Sequence, residues 1–422
     1  MNSSWLIIAD DLTGAADCAI AFGKRGMESV VAWERHAEAG KAQVLAVDAG
    51  SRQLPAPQAA KRQVDVLAAH YRPELRLYKK IDSTLRGQPA AELAALLAFP
   101  AAKSAGRSRL AIVAPAFPAT GRITVNGSVI VAGVPLELTP LWAREHTYSS
   151  ASLPEILGSA GLRAEVIPLE VVSQGAGAIN ARLKSARQRG AAAVVCDARS
   201  EADLTALAAG SFAMAEEVVW VGSAGLAASL AALEAPAGQP VQIAFAADAP
   251  RNILVVVGTL AEASRLQAKT IVEAGLVERI PISPAALFAG PCAPEWQQQA
   301  TCLAGLLASG KDALLELEQA ANPDLSRGTE LAKRLAEFVG SAISLPRPAT
   351  FGALVATGGD TLYALLARFK VHGIRLIDEI EPGAPLGMTL GEITIPLVSK
   401  AGAFGDAHTL RRSLERLRRG PH

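Results

Sequence analysis

The chain is predicted to be α/β: two α/β domains with mainly parallel sheets and an active-site cleft between them. Two observations predict it. Short β-rich runs alternate with longer Ala/Leu/Arg stretches of helical period, the pattern of helices layered on parallel strands. That rhythm breaks once, in EAPAGQPVQIAFAADAPR (234–251), which carries three prolines and neither a helical nor an alternating pattern, so it reads as a linker. The rhythm restarts with NILVVVGTLAEAS (252–264). The domains are expected over 1–240 and 250–422, joined near residue 245, with the cleft as the natural ligand site.

In the first half, strands are expected over 5–9, 28–33, 43–47, 75–80, 109–114, 163–167, 192–196 and 217–221. Helices are expected over 14–25, 57–71, 89–98, 174–189, 201–209 and 223–233. ITVNGSVIVAGVPL (123–136) differs, because Asn126-Gly127 between two β-branched runs is a hairpin signal. It is expected to form a small antiparallel excursion at one edge. In the second half, strands are expected over 252–257, 277–282, 312–317, 351–356, 374–380 and 393–398. Helices are expected over 262–274, 295–309, 328–341, 360–369 and 408–418. The halves share an architecture but no sequence repeat.

Composition narrows the function. Of 422 residues, 50% are hydrophobic and the net charge is +1, which gives no global attraction to nucleic acid or to an anionic membrane. Cys18, Cys196, Cys292 and Cys302 show no CxxC spacing, so neither a zinc site nor a disulfide framework is implied. The apolar stretch Trp220 to Leu233 is interrupted by Gly222 and Gly225, and is shorter than the ~20 residues that span a bilayer. The N-terminal apolar run stops at Asp10-Asp11 with no basic residues before it, against a signal peptide. A soluble cytoplasmic protein is the expectation, and a homodimer is the commonest assembly for one.

Ligands of open parallel sheets bind outside the carboxyl ends of the strands. WLIIADDLTG (5–14) places Asp10 and Asp11 there, facing a crevice where they need not be buried. Asp11 could instead simply cap the following helix; that accounts for one aspartate, not two. LYKKIDSTLRGQPAAEL (77–93) brings Lys79, Lys80, Asp82, Ser83, Thr84 and Arg86 to the same edge. Cations for a carboxylate, together with carboxylates and hydroxyls for OH groups, suit a small polyhydroxy acid. VDAGSRQLP (47–55) adds Asp48, Ser51 and Arg52, and Arg52 could clamp a carboxylate.

The second half carries phosphate signals. In FGALVATGGDTLYALLARF (351–369) a strand runs into Thr357-Gly358-Gly359-Asp360 and a helix begins at once. Glycines let phosphate approach the backbone, and the helix start supplies free N–H groups. Gly258-Thr259 and the turn after Lys400 repeat the arrangement, so three such loops point to a nucleotide site. GxxxxGK[ST] and GxGxxG are both absent, which disfavours a P-loop and a nicotinamide dehydrogenase. The six histidines show no ligand spacing. Metal ligands stay unassigned, and magnesium is expected to arrive on the nucleotide.

Taken in order, IADDLTGAAD, KKIDSTLRG, the APAFPATGR-to-NG segment, ATGGDT and KAGAFG resemble the four-carbon acid sugar kinase family, which includes D-threonate, D-erythronate and 3-oxo-tetronate kinases. The resemblance spans essentially the whole chain. It implies an N-terminal acid-sugar domain, a C-terminal ATP domain, and phosphoryl transfer to the C4 hydroxyl. It implies that Asp11, Arg52, Lys80, Asp82 and Ser83 contact the acid sugar. It likewise implies that Gly258, Thr259, Thr357, Gly358, Gly359, Asp360 and Gly402 contact the nucleotide. Two turns depart from the family pattern: where it often reads GSCS this chain has Gly258-Thr259-Leu260-Ala261, and where it often reads KSGGFG the chain has KAGAFG. Thr259 keeps a hydroxyl, whereas Ala261 and Ala401 carry none.

The expected mechanism joins both readings. Domain closure brings the C4 hydroxyl in line with the γ-phosphate. Asp11 is the first choice to orient or deprotonate that hydroxyl, and Asp82 the second. Lys80 or Arg86 offsets charge on the phosphoryl oxygens, with Asp10 beside them and Lys400 on the nucleotide side. D-threonate is favoured because Ser51-Arg52 after Asp48 is closest to that branch. The rival readings are an isomerase or aldolase acting on a phosphorylated acid without ATP, and a two-domain sensor without turnover.

Overall fold

A computed structural model describes residues 5–33, 42–103, 106, 108–144, 146–235, 252–319, 327–343, 351–400, 402 and 404–419. The expected linker at 234–251 lies outside them from residue 236 onward. The chain divides into two compact units, Met1–Pro240 and Val241–His422.

The first unit begins with β1 (Trp5–Ala9), α1 (Leu12–Gly23), β2 (Ser29–Ala32), β3 (Val44–Asp48), α2 (Ala56–His70), β4 (Arg76–Lys80), α3 (Pro89–Ala98) and β5 (Leu110–Ala114). The excursion follows as β6 (Arg122–Val125), β7 (Ser128–Val131) and β8 (Val134–Pro135), then α4 (Pro140–Arg144) and α5 (Leu153–Gly158). The unit ends with β9 (Ala164–Ile167), α6 (Leu169–Val172), α7 (Ala176–Gln188), β10 (Ala193–Cys196), α8 (Glu201–Phe212), β11 (Val218–Gly222) and α9 (Ala224–Glu234).

Its main sheet has the order β2-β3-β1-β4-β11-β5-β10-β9, and every pairing is parallel. Helices α1, α9, α8 and α7 pack side by side in one layer, and α2, α3 and α5 in another. The all-apolar β1 follows from burial between such layers: each of its five residues is buried. Trp5 and Trp220 meet in this core with ring centroids 5.2 Å apart. The excursion forms its own antiparallel sheet, β6-β7-β8, with Asn126-Gly127 at the first turn as expected.

The second unit holds β12 (Ile253–Val257), α10 (Glu262–Glu273), β13 (Glu278–Ile282), α11 (Pro284–Ala289), α12 (Pro294–Ala308), β14 (Ala313–Leu317) and α13 (Gly328–Ala342). It continues with β15 (Ala353–Thr357), α14 (Gly359–Arg368), β16 (Val371–Glu379), β17 (Pro385–Gly391), β18 (Pro396–Lys400) and α15 (Thr409–Arg419). Strands β13-β14-β12-β15-β18 run parallel, and β17 and β16 extend that row antiparallel.

Two boundaries differ instructively from expectation. Helix α1 starts at Leu12, not 14, because the Asp11 side chain accepts the Gly14 N–H and caps it. Strand β17 is not among the expected strands: Pro385, Gly387 and Gly391 weaken its strand propensity, yet antiparallel pairing on both sides recruits the segment. Among the described residues no helix is long and apolar enough to cross a membrane.

Candidate active site

In the first sheet the chain leaves β1 toward β2 and β3 on one side and returns to β4 on the other, so β1 and β4 flank a topological switch point. Such points open a crevice at the carboxyl ends of the strands. Asp10 and Asp11 follow β1, Arg52 follows β3, and Lys80 ends β4 with Asp82 two residues on. A Cβ added to Gly87 would lie 3.2 Å from Asp10 Oδ2 and 3.5 Å from the Arg52 backbone, so the three loops touch.

Arg52 is the centre of the cluster. Its Nε donates to Asp10 Oδ2 at 2.8 Å and its Nη2 to Asp10 Oδ1 at 3.0 Å, a bidentate fork. Nη1 pairs with Asp11 Oδ2, and Nη2 lies 3.7 Å from Asp82 Oδ1. Burial alone would raise the Asp10 carboxyl, but Arg52, with Lys80 and Lys79 behind it, holds it below the ordinary value. Burial likewise opposes ionisation of Asp82, yet Arg52, Arg86 and Lys80 hold it well below that range. Asp82 also accepts from the Thr84 hydroxyl and from Arg86 Nε at 2.9 Å and Nη2 at 3.1 Å.

The structure corrects several expectations. Asp10 is 2% exposed, not open to a crevice, and it tolerates burial because Arg52 neutralises it. The clamp expected of Arg52 exists, but it grips a carboxylate of the protein. Lys79 and Lys80 do not share the site. Successive strand residues point to opposite faces, so Lys79 pairs with Glu92 Oε2 of α3 at 2.8 Å, wholly buried. Lys80 points instead toward α1. A Cβ on Gly14 would sit 2.8 Å from Lys80 Nζ and 2.6 Å from Asp11 Oδ1. Burial would lower the Lys80 ammonium, but Asp10 and Asp11 raise it, and it donates no hydrogen bond to any described residue. Ser83 is half-buried, and its hydroxyl is likewise without a partner among the described residues.

Some features had no sequence signal. Leu85 takes a left-handed φ of 61° while fully buried, a strained conformation held by the hydrogen bonds around Asp82. Thr147 closes over the next turn by donating to the Gly87 carbonyl at 2.8 Å. Asp48 accepts the Gly50 N–H at 2.7 Å, and burial, with Asp11 and Asp10 adding to it, pushes its carboxyl up to about 7. Because this value lies above the ordinary 3.8, the group's favourable contribution to stability is full below pH 3.8 and lost as pH rises through 7. Asp48→Asn keeps an acceptor for Gly50 and does not titrate. It is expected to exceed the parent's stability at pH 8 by ~1 kcal/mol or more. Urea midpoints at pH 4, 6 and 8 should show that gap closing toward acid.

The second sheet repeats the logic. From β12 the chain passes to β13 and β14 on one flank, then to β15 and β18 on the other, so β12 and β15 flank a second switch point. Gly258-Thr259 follows β12, Gly358 follows Thr357 at the end of β15, and Gly402 lies two residues past Lys400 of β18. The three turns crowd together. A Cβ on Gly258 would collide with Thr361 Oγ1, and one on Gly402 would lie 2.6 Å from Thr259 Oγ1. Neither α10 nor α14 has a side-chain cap at its start, where Ala261 and Gly358 stand, so first-turn N–H groups are left for a ligand. Gly359 and Asp360 are exposed there, and the buried Thr357 hydroxyl has no partner among the described residues.

Lys400, expected to bind nucleotide, is committed elsewhere. Its ammonium donates to Phe404 O at 2.9 Å, Ser264 Oγ at 3.1 Å and Gly402 O at 3.4 Å, so it shapes the turn from beneath. Burial pushes it down to about 8 against the pull of Glu381. Ala401 lies outside the described residues.

Both halves of the chain match known protein families. A family described as "Sugar-binding N-terminal domain" matches residues 5–230, and "Nucleotide-binding C-terminal domain" matches 254–410. A D-threonate kinase of Cupriavidus necator is 39% identical over 418 residues, covering 96% of each chain. A 3-oxo-tetronate kinase of Methylobacterium radiotolerans is 30% identical, covering 97% of this chain and 98% of its own. The crystal structure of Haemophilus influenzae protein HI1011 shares the fold with a TM-score of 0.77 at 18% identity, covering 98% of this chain and 100% of that one. With a near-full-length relative at this identity and both domains matched in order, the chain is an enzyme of the four-carbon acid sugar kinase family.

Proposed function

We propose that the enzyme transfers the γ-phosphoryl group of ATP to the C4 hydroxyl of a four-carbon sugar acid, with D-threonate the favoured acceptor. The observation that carries this is the pair of switch-point sites, one built from Lys80 and paired carboxylates, the other from uncapped glycine turns. The D-threonate preference rests on the 39% identical relative of that name.

In this reading Asp11, half-buried beside Lys80, orients the acceptor hydroxyl and takes its proton. Asp82 is less suited to that task than Asp11, because it is more deeply buried, accepts from both Thr84 and Arg86, and is held well below the carboxylate range. It positions Arg86 instead, while Lys80 and Arg86 meet charge on the transferred group. Asp10 and Arg52 form the rigid floor, and Ser83 offers a hydroxyl to the acid. The nucleotide phosphates fit the turns at Gly258-Thr259, Gly358-Gly359 and Gly402, and the Thr357 hydroxyl, without a partner among the described residues, is a ready donor. Asp360, in the first turn of α14, is the carboxylate that would hold a magnesium ion arriving with the nucleotide. When bound, that ion neutralises phosphate charge. Transfer further requires the hydroxyl in line with the terminal phosphorus.

A coupled ADP-release assay with Mg-ATP against a panel of four-carbon sugar acids, with ATP-only and acid-only blanks, tests the proposal. Turnover of D-threonate, with phosphorus-31 NMR placing the product phosphate on C4, is the expected result. ATP binding with no turnover of any acid would remove the acceptor assignment. The nucleotide site has its own test in Gly358→Ala. Gly358 has a φ of 92°, and a Cβ there would press on Thr259 at 3.3 Å. The KM for ATP is expected to rise roughly tenfold or more, with kcat at saturating ATP and the acid's KM far less affected.

A further inference from the structure

The kinase reading leaves one chemical demand unassigned: a cation with free donors for the carboxylate of the acid. The two arginines of the cluster already named are occupied. Arg52 holds Asp10 and Asp11, and Arg86 holds Asp82.

A third arginine reaches the same place from the excursion. The β6–β7 hairpin is fastened to the segment just past β10, where Asp197 accepts the Asn126 N–H at 2.7 Å and the Gly127 N–H at 2.9 Å. Thr124 and Ala198 exchange two backbone hydrogen bonds alongside. Because β10 is parallel to β1 and β4, this fastening sets the hairpin at the carboxyl edge of the sheet, the edge the site occupies. Arg122 opens β6, and its guanidinium lies within electrostatic reach of Asp82 and Arg86. Among the described residues it makes one side-chain hydrogen bond, from Nη1 to Thr120 O at 3.0 Å. Its Nε is buried with no partner among the described residues. A buried N–H left unpaired is costly, and a charged one more so, so a built site normally supplies its acceptor. Burial pulls this guanidinium below its ordinary value, with Asp82 opposing and Arg86 adding to the fall.

We propose that Arg122 binds the carboxylate of the sugar acid, and so selects acids over neutral polyhydroxy compounds of the same size. The inference rests on the kinase reading above.

The test compares the full chain with its Arg122→Gln and Arg122→Lys variants. Each is assayed with the sugar acid the parent turns over and with the uncharged carboxamide of that acid. The parent is expected to favour the acid in kcat/KM by ~10–100-fold. Arg122→Gln should raise the acid's KM by that factor and erase the preference, leaving the KM for ATP unchanged; Arg122→Lys should keep part of the preference. Loss of activity on both compounds alike, or a retained preference in Arg122→Gln, would overturn the assignment while leaving the kinase reading intact. If the parent turns over no acid, calorimetry of acid binding decides. Binding that Arg122→Gln abolishes supports the carboxylate role without the kinase reading, and no binding to the parent removes both.

Discussion

Asp11→Asn is expected to lower kcat by ~10²-fold or more while the KM for ATP stays put. The substitution isolates charge and basicity from structure. Asp11 Oδ1 caps α1 by accepting the Gly14 N–H at 2.8 Å, and asparagine caps a helix about as well as aspartate. Arg52 keeps its bidentate hold on Asp10 and its approach to Asp82, so the floor of the site survives. What asparagine cannot do is accept a proton from the sugar hydroxyl or balance Lys80. The check is steady-state kinetics with both substrates varied, beside a thermal melt to show that folding is retained. An unchanged kcat would take the proton-accepting role away from Asp11. A raised KM for the acid with intact kcat would make it a binding group only.

The residues around Asp11 show which parts of a site a sequence can reveal. An apolar run that stops on two carboxylates is informative because burying unpaired charge is costly, and Asp10 and Asp11 do sit at the switch point. KKIDSTLRG was informative in the same way, yet the period of two within β4 sends Lys79 away from the site. Arg122 closes the APAFPATGR stretch, but no site role was legible for it, since its place depends on a turn held by Asp197, 71 residues beyond Asn126. Lys400 looked like a phosphate ligand by composition, whereas the curl of its own loop offers it carbonyl oxygens first. Local pattern found the strand ends. Which side chains meet there is set by long-range packing.

The displaced lysine carries the largest expected effect on folding. Lys79 and Glu92 are 0% and 1% exposed and lie 2.8 Å apart, and Ser51 Oγ donates to the other carboxylate oxygen of Glu92. Three elements are thereby tied behind the site: β4 just before Lys80, α3, and the loop just before Arg52. Glu92→Gln preserves shape and still accepts from Ser51, but it leaves the Lys79 ammonium buried against a neutral amide. A buried charge stripped of its partner typically costs ~3–5 kcal/mol. That loss is expected in urea unfolding of the first unit, followed by the fluorescence of Trp5 and Trp220 in its core. Lys79→Met made together with Glu92→Gln removes both charges and should recover most of the loss, since neutral replacements of a buried pair are often tolerated. If the single variant is as stable as the parent, the pair is not what fastens α3 to β4. If the double variant is stable but its KM for the acid rises, the tie serves chiefly to hold Lys80 and Arg52 in register, and the network belongs to the site as much as to the core.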